Sequence, residues 1–157
     1  MQPKRVDVAV GVLIEVREGR RCVLVARRHD DAVLGGYWEL PGGKVEAGEA
    51  LAHCVQREFA EELGLTVQAG AAMPIIEHQY DHAHVHLHPY LCTRIAGEPR
   101  SLQVAEHRWV AIDNLSTICF PPANAPLMEQ IRRLLATDMP RQGGNRDEHG
   151  PETRREQ

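Results

Sequence analysis

Gly43 to Leu65 reads GKVEAGEALAHCVQREFAEELGL, and the fold turns on this stretch. Leu51, Val55, Phe59 and Leu63 recur every fourth residue and form one apolar stripe, the period of a helix packed on a core. Gly64 supplies the stop, so a helix is expected over Glu49–Leu63. Glu58, Glu61 and Glu62 stand at i, i+3 and i+4, which puts their carboxylates on one face with neighbouring Cβ atoms about 5–6 Å apart. Like charges so placed weaken a bare helix by about 0.2–0.5 kcal/mol per pair. A hard divalent cation reverses that sign, because Mg²⁺ and Mn²⁺ take oxygen ligands. Without the cation the same glutamates are an ordinary solvated face. Arg57 sits beside Glu58, where it can clamp its neighbours, and Gly42-Gly43-Lys44 leaves the backbone upstream free for an unusual turn.

Outward from this helix the period changes to two. Val6–Val16 (VDVAVGVLIEV) is a nearly continuous β-branched run and reads as a buried strand. Glu18-Gly19-Arg20 is a turn and Cys22–Arg28 (CVLVARR) a second strand, which predicts a hairpin. His29–Tyr37, with Gly35-Gly36, is a loop, and Trp38-Glu39-Leu40 a short strand before Pro41-Gly42-Gly43. Strand-like runs follow at Ala72–Ile76, Val85–Thr93 and His107–Ile112. A last helix over Ala125–Ala136 carries Leu127, Ile131, Leu134 and Leu135 on one side. The order predicts an α/β domain over residues 1–137, a mixed sheet covered on both faces. The tail, residues 138–157, is polar and is expected to be disordered.

The 157-residue chain is 43% hydrophobic and 25% charged, the balance of a globular domain rather than of a disordered, collagenous or coiled-coil chain. Its 18 basic and 22 acidic residues give a formal charge of −4, which argues against a duplex nucleic acid gripped along its backbone. A small partner carrying a few phosphates fits, provided a metal ion supplies positive charge. The apolar runs are of strand length, so no membrane helix is expected. Met1–Arg5 is polar and leads straight into a strand, so no signal peptide is expected either. Cys22, Cys54, Cys92 and Cys119 are widely spaced without a C-x-x-C pair, which points to a reducing, cytoplasmic setting. Monomer and homodimer are equally compatible with the sequence.

The helix and the loop before it resemble the Nudix box, G-x5-E-x7-R-E-U-x-E-E-x-G-U, where U is bulky and apolar. Gly43, Glu49, Arg57, Glu58, Phe59, Glu61, Glu62, Gly64 and Leu65 fill every specified position. Val8-Ala9-Val10-Gly11, Arg27-Arg28 and Trp38-Glu39-Leu40-Pro41-Gly42-Gly43-Lys44 resemble the N-terminal half of MutT-type members of that family. Phe120-Pro121-Pro122-Ala123-Asn124, then Pro126, is similar to their FPPAN segment, so the likeness runs over about residues 6–135.

The resemblance implies a Nudix-type α/β/α sandwich with a mixed sheet and a loop–helix–loop motif. It implies hydrolysis of a nucleoside diphosphate linked to a further group, with Mg²⁺ (or Mn²⁺) as cofactor. Glu58, Glu61 and Glu62 would be ligands, the carbonyl of Gly42 or Gly43 would face a metal, and Glu49 and Arg57 would hold loop and helix together. Some MutT-type enzymes use a further glutamate, for which Glu106 is the candidate, though the match needs a short gap; the alternative is an exposed residue at a strand entry. Arg27, Arg28 and Lys44 are candidates for phosphate oxygens. Asn124 carries the specificity: its carboxamide, donor and acceptor at once, suits a purine edge with a carbonyl beside an N–H, as in guanine oxidised at C8, or else caps the final helix. Tyr80 would stack on a base or fill the core, whereas Trp109 reads as core. His82, His84, His86 and His88 alternate on one face of a strand, a departure from MutT, and read as a half-exposed strand near the base pocket rather than a zinc site. The expected activity is that of a nucleoside triphosphate pyrophosphohydrolase that removes 8-oxo-dGTP. A CTP or 5-methyl-dCTP pyrophosphatase is the alternative, ahead of hydrolysis of another nucleoside diphosphate derivative. A non-catalytic binding module is disfavoured, since such modules usually lose a box glutamate.

Overall fold

The computed structural model describes residues 4–32 and 34–134. The tail expected to be disordered, and Leu135 in the closing helix, lie outside the described residues.

The long apolar run near the N-terminus is the spine of the sheet. Strand β1 (Lys4–Arg17) pairs in parallel with β7 (Ala83–Ala96), in unbroken register from Lys4 opposite Ala83 to Leu13 opposite Cys92. Its far end pairs antiparallel with β2 (Arg20–Arg27), as the hairpin reading expects. Glu18 and Gly19 both have positive φ, 54° and 77°, the backbone that lets a two-residue turn follow the twist of its strands. Strands β3 (Trp38–Glu39) and β8 (Glu106–Ala111) add to β2, and β4 (Gly42–Lys44) adds to β1 at Val8–Val10. Strands β5 (Thr66–Ala72) and β6 (Ile76–Gln79) pair antiparallel with β7, completing a mixed sheet of eight strands.

Alternation along β1 divides the core. Val8, Val10 and Val12 pack with Trp38, Leu40, Leu115, Leu127 and Ile131 on one face. Ala9 and Leu13 pack with Leu24, Val55, Phe59 and Leu63 on the other. Helix α1 (Leu51–Leu63) therefore covers one side. The 3-10 turn Ile112–Thr117 and the helix at residues 125–134 cover the opposite side. No helix among the described residues is long and apolar enough to cross a membrane.

Helix α1 begins two residues later than its periodicity suggests, because Glu49 is engaged in the preceding turn: its N–H donates to the Glu46 carbonyl, and its Oε1 accepts the Glu46 N–H at 3.0 Å. Gly64 ends the helix at φ 69°, and the Gly64 and Leu65 N–H groups bond back to Ala60 and Phe59. Three further segments depart from expectation. Ala72–Ile76 is largely the connection between β5 and β6, where Pro74 cannot donate to a ladder. Thr66–Ala72, rich in small residues, becomes a strand because β7 offers it an edge, as β1 does for Gly42–Lys44.

Gly11 sets the distance between sheet and helix. A Cβ there would overlap the Phe59 ring and stand 2.9 Å from Cys92 Sγ. Gly11→Ala is expected to lower stability by about 1–3 kcal/mol, the cost of overpacking a close-packed core. Urea denaturation checks this; an unchanged midpoint would contradict the packing.

Candidate active site

The loop before α1 is tied to the helix through one guanidinium. Arg57 Nε donates to Glu49 Oε2 at 2.7 Å and Nη2 to Oε1 at 3.0 Å, a two-pronged pairing. Nη2 also reaches the Lys44 carbonyl at 3.3 Å, while Nη1 reaches Glu58 Oε2 at 3.1 Å and Glu61 Oε1 at 3.3 Å. The Glu49 side chain is only 7% exposed. Hydrogen bonds from Arg57 and from the Glu46 amide hold its carboxyl well below the usual range. Arg57 in turn is held above its ordinary value, chiefly by Glu49.

The carboxylates gather next to this clamp. Glu58 lies so close to Gly43 that a Cβ at that position would overlap its carboxylate, so the glycine is required by close approach. The Gly43 carbonyl itself faces Cys54 Sγ at 3.5 Å. One turn along, Glu62 Oε1 is enclosed and has no hydrogen-bond partner among the described residues. Burial, then the neighbouring Glu58 carboxylate, then Glu39, hold the Glu62 carboxyl well above the usual range, with the Gly42 amide opposing. Glu61 stands at the edge, its side chain 45% exposed.

Glu39 belongs to this cluster and was not among the candidates. It pairs with Arg28 Nη1 at 3.0 and 3.2 Å, and burial raises its carboxyl against the pull of that guanidinium. The signal was present in Trp38-Glu39-Leu40: on a strand with Trp38 in one core, the next side chain emerges on the opposite face. An enclosed oxygen with no donor, a second carboxylate against bare glycine backbone and excess negative charge make an all-oxygen donor set, which suits a hard divalent cation.

The other expected residues lie around this cluster or apart from it. Glu106 sits opposite Arg27 in the β2–β8 ladder, whereas Glu39 sits opposite Ala26, so the two glutamates leave the sheet on opposite faces. Glu106 is held by Arg108 and Arg27, each at 3.3 Å, and these arginines lower its carboxyl. Arg27 also meets Asp30 at 3.3 Å, and Lys44 is exposed at the end of β4. Asn124 closes the 3-10 turn Pro122–Asn124, half-buried, and just upstream the Cys119 carbonyl accepts the Trp38 N–H at 2.9 Å. That bond holds the segment beside β3. Tyr80 lies in the β6–β7 turn between the rings of His78 and His82, with centroids 4.4 and 5.8 Å away. Trp109 is half-buried, with the Arg17 guanidinium 4.7 Å from its ring centroid. His84, His86 and His88 share the face of Tyr90 and Cys92, the α1 side, whereas the helix that follows Asn124 packs on the other. His88 is buried, its Nε2 2.9 Å from Asp7.

These shifts have opposite signs in stability. Glu49 binds its proton less tightly folded than unfolded, so its contribution is present above the ordinary carboxylate range and is lost on acidification. Glu62 binds its proton more tightly when folded, so the metal-free protein loses stability as pH rises out of that range through neutrality. The thermal midpoint of chelator-treated protein is expected to fall between about pH 5 and about pH 8, and Glu62→Gln is expected to remove most of the fall. An identical slope in the variant would contradict the placement of Glu62.

Comparison with known proteins agrees with the geometry. A family model described as NUDIX domain matches residues 9–130. The chain is 33% identical over 131 residues to an 8-oxo-dGTP diphosphatase of Escherichia coli K12, covering 83% of this chain and 99% of that protein. It is 31% identical over 136 residues to the CTP pyrophosphohydrolase of the same organism, covering 85% and 96%. The solution structure of the E. coli ORF135 protein superposes with a TM-score of 0.74 at 26% identity, covering 86% of this chain and 94% of that one. The Arg57 clamp, the glutamates gathered against Gly43 and the sheet that carries them thus mark a chain that belongs to the NUDIX domain family, as a MutT-like Nudix hydrolase.

Proposed function

We propose that this hydrolase is a Mg²⁺-dependent nucleoside triphosphate pyrophosphohydrolase, with Mn²⁺ as a substitute, that removes 8-oxo-dGTP from a cytoplasmic nucleotide pool. The observation that carries the reading is the enclosed, donor-free Glu62 oxygen beside a Glu58 carboxylate pressed on Gly43. Glu58 and Glu62 would hold the ion, with Glu61 at the edge and the Gly42–Gly43 backbone alongside. A divalent ion held there would supply positive charge for phosphate oxygens, for a bound water and for the leaving group.

The residues of the chain do the rest by position. Arg57 fixes the Glu58 carboxylate from one side, and Phe59, fully buried, fixes the helix from below. Glu58 takes the proton of a water whose oxygen bonds to the β-phosphorus. The bond from that phosphorus to the α–β bridging oxygen breaks, so the nucleoside monophosphate leaves with the bridge and pyrophosphate is released. Glu106 is the second candidate for the proton, but it leaves the sheet on the face opposite Glu39 and is held there by Arg27 and Arg108, which favours Glu58. Arg28 is anchored to Glu39 within the cluster and suits phosphate oxygens; Lys44, exposed at the end of β4 opposite Val8, is the further candidate for them. Asn124, half-buried at the end of its 3-10 turn, reads the base. Ordinary guanine offers only an acceptor at N7, so an acceptor aimed there would be left unpaired. The similarity to a CTP pyrophosphohydrolase supports a pyrimidine nucleotide as the second reading.

Glu58→Gln is expected to lower kcat/KM for Mg²⁺-dependent pyrophosphate release by about 10²–10⁴. An unchanged rate removes Glu58 from the chemistry. Asn124→Ala is expected to cut the 8-oxo-dGTP over dGTP preference by about 5- to 150-fold, the equivalent of one buried polar group left unpaired. A wild-type enzyme that prefers CTP, or a variant with intact preference for the oxidised base, would replace the base assignment.

A further inference from the structure

Away from the Nudix box, β6 and β7 bring a second set of donors together. Their antiparallel register puts Glu77 opposite His86 and Gln79 opposite His84, so Glu77, His84 and His86 project from one face. Glu77 Oε1 stands 3.2 Å from His84 Nε2. The rings of His84 and His86 are 4.6 Å apart between centroids, tilted by 52°. One ligand atom from each of the three residues lies within 4.8 Å of the other two. Both histidines are half-buried, which limits the rotamers open to them.

The geometry points to a binding site for a borderline divalent transition ion of the Zn²⁺ class, held by Glu77, His84 and His86 with a fourth position left to water. Zinc bonds of about 2.0–2.2 Å in a tetrahedron set neighbouring ligand atoms about 3.4 Å apart. The Glu77–His84 spacing is already close to that, and the remaining donors need only side-chain adjustment to reach it. Donor chemistry separates this site from the box, since imidazole nitrogen favours zinc-like ions and carboxylate oxygen alone favours magnesium.

A bare ion pair explains the arrangement less well. It would employ one imidazolium, whereas Glu77 faces His86 directly and bonds His84 diagonally, with the two rings side by side. Two protonated rings would repel at that distance; two neutral rings and a carboxylate around a shared cation would not. The neighbouring charges do not compete for the donors. Arg5, opposite His84 on β1, is committed to Asp7 at 3.0 Å, and Asp7, opposite His86, also engages His88 at 2.9 Å. A bound ion would clamp β6 to β7 at the base of the turn that carries Tyr80.

The test is a Zn²⁺ titration of the full chain in excess Mg²⁺, which keeps the box filled, followed by a competing chelator and by imidazole NMR. The expected result is one Zn²⁺ per chain, movement of the His84 and His86 ring resonances, and a higher thermal midpoint. Glu77→Gln, His84→Gln and His86→Gln should each weaken uptake by at least about tenfold, a loss seen even for outer-shell partners of a metal. Glu77 is exposed, so its variant keeps the fold, and its Mg²⁺-dependent pyrophosphate release should equal wild type. No Zn²⁺ uptake, or uptake indifferent to all three substitutions, would show an ion pair only and overturn the proposal. Either outcome is read independently of which nucleotide the enzyme hydrolyses.

Discussion

Carboxylates crowded where water cannot screen them are the constraint on which this structure depends. Glu58, Glu62 and Glu39 converge beside α1, and the cost of that convergence appears in the raised Glu62 and Glu39 carboxyls and in an enclosed oxygen with no donor. A surface cluster would relax by swinging apart. This one is confined, because Glu58 is pressed on Gly43 and the helix that carries it is fixed by Phe59 and Leu63 in a close-packed core. We propose that a divalent cation relieves this crowding, so that binding energy for the ion is stored in the fold before the ion arrives.

Two devices keep the confinement in place. Arg57 reaches Glu49 with two hydrogen bonds and Glu58 and Glu61 with one each, so the loop and the helix share a single cation. Gly11 lets the helix approach β1 closely enough for the Phe59 ring to lie directly over the strand. The parallel pairing of β1 with β7 then places His84 and His86 farther along the same face of the sheet, opposite Arg5 and Asp7.

The helix, its stop at Gly64 and the hairpin after Arg17 were legible in the sequence, because each rests on local chemistry: a four-residue apolar repeat, a left-handed glycine, a positive-φ turn. Elements that exist only through pairing were not. Thr66–Ala72 and Gly42–Lys44 carry little strand character of their own and become strands on the edges that β7 and β1 present. The same distinction holds in the site. Glu58, Glu61 and Glu62 announce themselves by helical spacing. Glu39 arrives from another strand, and its membership follows only from which face of β3 it occupies. For Glu106, partnership with Arg27 and Arg108 depends on register that no local pattern encodes. The alternating histidines were readable as one face of a strand, but the Glu77 opposite them came from the β6–β7 register.

The most direct test of the central claim is proton release on metal binding. Mg²⁺ titration calorimetry near neutral pH, repeated in buffers of different ionisation enthalpy, counts the protons that leave the protein. If crowding keeps Glu62 protonated until a cation takes its place, close to one proton is released per site filled, and Glu62→Gln releases none. Metal binding with no proton release in the wild-type protein would contradict the account.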